Sequence, residues 1–92
     1  MSTPDPDDAR AQFEHFSNEY AQALQAYNAI ENQASTLLLM GYTDDLHQFI
    51  DQFLIMARRT RDLAIERGET HFAEWFGELV QKAEKLRAST PR

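Results

Sequence analysis

The sequence predicts an all-α chain: an up-down-up three-helix bundle with a long first helix, of a kind that associates into a larger helical bundle. Three observations carry this. Eight residues (Phe13, Phe16, Tyr20, Ala23, Tyr27, Ile30, Ala34 and Leu37) recur at alternating spacings of three and four, the period with which one side of a helix lies lengthwise along others. Glycines at 41 and 68 divide residues 6–90 into three segments whose only other Gly or Pro residues are Pro6, at the very start, and Gly77. None of the segments shows the period-two alternation of a half-buried strand.

The first helix is expected over about residues 6–40. Asp5 is a suitable N-cap, Pro6 fits the first helical position, and Asp7 and Asp8 complement the positive end of the helix dipole. Residues 1–4, ahead of this start, are expected to be disordered. A helix of this length spans roughly 50 Å. Tyr20 and Tyr27 occupy seam positions where a two-stranded coiled coil favours branched aliphatics, so the seam reads as a bundle face packing large side chains into small ones. Gly41 stands where a left-handed C-cap needs no Cβ.

The second helix is expected over about residues 44–67, capped by Thr43 and opened by Asp44 and Asp45. Its stripe is Leu46, Phe49, Phe53, Met56, Thr60 and Leu63, widened by Ile50, Leu54, Ala57 and Ala64. That width suits a helix with two neighbours. Gly68 ends it. The third helix is expected over about residues 71–88 with Thr70 as cap and a stripe of Phe72, Trp75, Phe76, Leu79, Val80, Ala83 and Leu86. Gly77 costs this helix about 1 kcal/mol relative to Ala and reads as tolerated rather than required. Residues 89–92 are expected to fray.

Ninety-two residues with 42% hydrophobic and 26% charged content make a single helical domain rather than a disordered chain. Its core is modest, so association is a plausible source of further stability. There is no cysteine, which removes disulfides, thiolate metal sites and cysteine nucleophiles together. The polar, acidic start lacks the basic and apolar regions of a secretory signal, and the longest apolar run, Leu37 to Met40, is far too short to span a membrane. A soluble cytoplasmic protein is the expectation. The net charge of −6 is divided unevenly, −8 over residues 1–51 and +2 over residues 52–92. An acidic surface of this kind disfavours nucleic acid and anionic membranes as partners.

The chain does not read as an enzyme, and no cofactor is expected. His15, His47 and His71 lie near carboxylates, but a di-metal carboxylate bundle uses Glu-x-x-His pairs, which this chain lacks. No metal site is therefore assigned, and a metal or small-ligand carrier is the weakest of the readings. No nucleophile elbow or phosphate-cradling glycine loop is present. The basic group Arg58, Arg59, Arg61 and Arg67 fits anion recognition, but ion pairing with Glu14, Glu19 and Glu31 of the first helix is the reading preferred here.

The functional expectation comes from comparing helix lengths. With equal rise per residue, Phe49 falls level with residues 33–35, Leu63 near Ala21, and the third helix runs out near Glu31. Above that level two helices alone would have to cover Leu37, Leu38, Leu39, Met40, Tyr42, Leu46, Phe49 and Ile50. These eight are the expected interface of a non-enzymatic protein–protein assembly or adaptor module. A second copy of the chain is the expected partner and a different protein the alternative. A separate reading is an acidic inhibitor or immunity-type protein that occludes a basic partner surface with Asp7, Asp8, Glu14, Glu19 and Glu31.

Overall fold

The computed structural model describes residues 6–91, and over these the chain is an all-α bundle: α1 (Pro6–Leu39), α2 (Thr43–Glu66) and α3 (Thr70–Ser89). The bundle is slim, 57 × 17 × 16 Å, and α1 runs nearly its whole length. The expected cap at Asp5 and the expected disorder of residues 1–4 lie outside the described residues.

Both glycine stops form as the sequence demands. Gly41 and Gly68 take φ of 81° and 75°, and each closes a Schellman turn. The Tyr42 N–H reaches the Leu37 carbonyl at 2.8 Å and the Glu69 N–H reaches the Ala64 carbonyl at 2.8 Å, which satisfies carbonyls that the helix end would orphan. The N-caps differ from expectation. Tyr42 and Glu69 hold the cap positions without a side-chain cap bond, and Thr43 and Thr70 are already the first helical residues. The Tyr42 and Glu69 carbonyls accept the Leu46 and Ala73 N–H groups at 3.1 and 2.9 Å, so each helix starts one residue before a threonine cap would place it. Glu69 uses its carboxylate instead to accept the Gln12 side-chain amide at 2.7 Å, which ties the start of α3 to α1.

The core is Phe16, Ala23, Tyr27 and Ala34 from α1, Leu46, Ile50, Phe53, Leu54, Ala57 and Ala64 from α2, and Phe72, Phe76, Leu79, Val80 and Ala83 from α3. On α1 the buried residues all belong to the predicted seam, but the seam's first member, Phe13, is open to solvent and leans edge-on against Phe72 at 5.4 Å between ring centroids. On α2 the buried arc is centred on the residues that only widened the predicted stripe, and Phe49 lies outside it. The arc turns this way because α2 must face α3 as well as α1.

The end of α3 departs furthest from expectation. The helix runs to Ser89, Thr90 is buried with its hydroxyl donating to the Leu86 carbonyl at 2.7 Å, and the His47 Nε2–H donates to the Pro91 carbonyl at 3.3 Å. Of residues 89–92, expected to fray, 89–91 are tied down, and residue 92 lies outside the described residues. This strap carries the third element about a turn higher than Glu31, to the level of His47.

Candidate functional site

Four of the eight residues expected at the interface remain open: Leu39 at 89% of its full exposure, Met40 at 61%, Tyr42 at 47% and Phe49 at 46%. Leu37 and Leu38 are half-buried against the core. Leu46 and Ile50 are fully interior, which removes them from any docking surface. The equal-rise comparison placed them in a two-helix tip because it stopped α3 short of the strap formed by Thr90 and Pro91.

The open residues are part of a longer face. Between α1 and α2, on the side away from α3, lies a groove of about 360 Å³ lined by Ala26, Ala29, Ile30, Gln33, Phe49, Gln52, Phe53 and Met56. Phe49 stands level with Gln33, as helix counting anticipates. At about 100° per residue, Leu37 and Met40 continue the Ile30–Gln33 line of α1, and Tyr42 continues the Phe49–Met56 line of α2. Leu39 points elsewhere. The floor of the groove is Phe53, whose ring meets that of Tyr27 at 5.8 Å. Burial, reinforced by a hydrogen bond to and the charge of the Glu31 carboxylate, pushes the Tyr27 hydroxyl up to about 12, so it stays a neutral donor beneath the groove.

Lower on the same side, Asp8, Ala11, Gln12, His15, Phe16, Leu63 and Arg67 line a second hollow. Leu63 shares this hollow with His15 and Phe16. Between the two hollows the face presents Glu19, Gln22 and Arg59, so its apolar half is the upper one.

The acidic residues do not gather. Helical geometry spreads Asp7, Asp8, Glu14, Glu19 and Glu31 around α1 rather than along one edge. Glu14 accepts from Arg10 at 3.2 Å and Glu31 serves Tyr27. The arginines also pair differently from expectation: Arg58 bonds Glu84 of α3 at 3.1 Å, and Arg61 bonds its neighbour Asp62 at 3.2 Å. Neither reaches Glu14, Glu19 or Glu31, because α2 turns that side toward α3. The described residues hold no group of three or more His, Asp or Glu side chains that could bind a metal ion, and none of the described helices is long and apolar enough to cross a membrane.

Comparison of the chain with protein-family models, with curated proteins and with solved structures returns no match.

The groove residues Ala26, Ala29, Ile30, Gln33, Gln52 and Met56 were not singled out as interface by sequence reasoning. A signal for them exists. Tyr42, Phe49, Met56 and Leu63 recur every seven residues, which is one straight line of large side chains along α2. That line was merged with the interior stripe.

Proposed function

We propose that this chain is a non-enzymatic helical association module that pairs with a second copy of itself through the outer face of α1 and α2. The observation that carries this reading is the open Phe49 ring standing beside a groove floored by alanines and aromatics. A monomer gains nothing from a bare apolar groove, whereas a partner helix laid into it removes apolar area from water at about 25 cal/mol per Å². The small side chains of Ala26 and Ala29 allow a facing helix to approach closely, and Phe49 and Met56 supply bulk on the other side. Two such faces brought together make a four-helix arrangement.

A like partner suits the charges around the face. The rim carries an acid, Asp45, and a base, Arg59, rather than a single sign, so the face does not select a strongly basic or strongly acidic partner. Sedimentation equilibrium of the full chain tests the reading. The expected result is a concentration-dependent dimer for the wild type and a monomer of unchanged helicity for Phe49→Glu. A strict monomer at every concentration, or a Phe49→Glu protein that still dimerises, overturns it.

A further inference from the structure

The outer face of α2 reads almost the same in both directions. From Gln52, seven residues back lies Asp45 and seven residues on lies Arg59. Phe49 and Met56 lie three residues before and four after Gln52, and Tyr42 and Leu63 lie ten before and eleven after it. Seven residues are two helical turns, about 10 Å, so Asp45, Gln52 and Arg59 follow one line along the helix and Tyr42, Phe49, Met56 and Leu63 follow a second, about 60° around from it. Asp45 and Arg59 are both exposed, and neither forms an ion pair within the chain among the described residues. Other charged side chains near by are paired: Arg58 with Glu84 and Asp51 with Arg87.

We infer that the dimer is antiparallel, with its two-fold axis lying across the helices at Gln52, so that Asp45 of each subunit meets Arg59 of the partner subunit. This inference rests on the association reading above and specifies its geometry. A two-fold axis perpendicular to the helices sets α2 against the partner's α2 in reverse direction. Residues at equal or nearly equal distances on either side of the centre then face one another. Phe49 lies over Met56 of the partner subunit, Tyr42 over Leu63 of the partner subunit, and the two Gln52 amides meet at the axis, where each is both donor and acceptor. On α1 the same operation sets Ile30 against Ala29 of the partner subunit, large against small.

The other way of joining the two faces is a two-fold axis running along the helices. That arrangement lays α2 over the partner's α1. It places Asp45 level with Leu37 of the partner subunit and Arg59 level with Gln22 of the partner subunit, so the two charges do not meet one another. The crossing arrangement differs in bringing Asp45 and Arg59 together, twice by symmetry. A polar residue at the centre of an apolar line is also the familiar device by which packed helices fix their register.

The chain has no cysteine, so an introduced thiol reports its own surroundings without interference. In the crossing arrangement Gln52→Cys places two thiols beside the axis, within reach of a disulfide. Mild oxidation of Gln52→Cys is expected to give a covalent dimer in high yield, and Leu39→Cys, far from the axis and directed away from the groove, is expected to give little. Asp45→Arg and Arg59→Asp are each expected to weaken the dimer about tenfold, because both symmetry-related contacts become repulsive. The double exchange is expected to restore it.

A protein that dimerises in sedimentation but links through Leu39→Cys rather than Gln52→Cys overturns the register and leaves the association reading standing. Dimerisation with no link at either position, or with single reversals that the double exchange does not rescue, overturns the register likewise. A monomer throughout overturns both readings.

Discussion

Helix α2 borders two grooves, and they are finished in opposite ways. Toward α3, the trough lined by Asp51, Leu54, Ile55, Arg58, Glu84, Arg87 and Ala88 is spanned by charge: Arg58 reaches Glu84, and the Arg87 guanidinium takes both carboxylate oxygens of Asp51. Toward α1, the groove below Phe49 has no such bridge. Its α1 wall consists of alanines, Ile30 and one glutamine, all too short or too apolar to reach across. The contrast shows two ways of covering the seam between neighbouring helices. Long ionic side chains cover one from within the chain; the other is left for a helix from outside.

The adjacent residues Ile50 and Phe49 give the sharpest way to break this contrast. Ile50 is fully interior, whereas Phe49 is half open. Ile50→Ala is expected to destabilise the subunit by about 2–5 kcal/mol. Phe49→Ala is expected to cost a dilute monomer less than about 1 kcal/mol, since much of its ring is already in water. Denaturant unfolding at low protein concentration compares the two, and equal losses would erase the distinction between the closed and open sides.

Tyr27, beneath the open groove, sets an upper pH limit. Its hydroxyl ionises near the ordinary value of 10.0 when unfolded and at about 12 when folded. The stabilisation held by the neutral hydroxyl is complete below pH 10 and is lost as pH rises through this interval, because the unfolded chain releases the proton first. Stability is expected to fall by roughly 1–3 kcal/mol over that range, followed by chemical denaturation at stepped pH. Tyr27→Phe should flatten the profile, and a profile unchanged by that substitution would detach Tyr27 from the effect.

Gly77 tests whether the closed side has room to spare. A Cβ built there meets only the Arg61 Cδ, at 3.9 Å, an ordinary contact. Gly77→Ala is therefore expected to raise stability by about 0.5–1 kcal/mol, read as an increase in the denaturation midpoint. A decrease would show that α3 needs a bare backbone against α2.

The smallest effect concerns the bridge itself. Arg58 and Glu84 are each about half exposed, at 46% and 50% of side-chain area, so a double-mutant cycle between Arg58→Ala and Glu84→Ala is expected to yield less than about 1 kcal/mol of coupling. The bridge covers the α2–α3 trough more than it stabilises it. A coupling well above that range would mean that charge holds these two helices together.

Much of the fold was legible because glycine and heptad signals are local. Gly41 and Gly68 lack a Cβ, and the Phe16–Ala34 seam repeats at helical period, so three helices and their order follow without tertiary information. The rotation of α2 was harder to read. Its interior arc must serve two neighbours, and the residues on the α3 side, Ile50, Leu54 and Ala57, are no more hydrophobic than those on the open side. Periodicity gives the width of such an arc but not its centre. Leu46 and Ile50 are interior close to where the Pro91 carbonyl meets His47, a long-range hydrogen bond that no local pattern around residue 91 announces. The open groove was half legible: Phe49 was identified, but Ala26 and Ala29 look like ordinary helix formers until the neighbouring helix shows that they face outward.

The single tryptophan has a practical consequence. Trp75 sits on the α1–α3 side, partly exposed, with its indole against Tyr20 and Phe72 at ring-centroid distances of 5.4 and 5.3 Å. Its fluorescence therefore senses α3 leaving α1, while joining of two subunits across the opposite flank leaves its surroundings untouched. One optical signal thus tracks unfolding alone, and mass-based methods on the same sample track assembly.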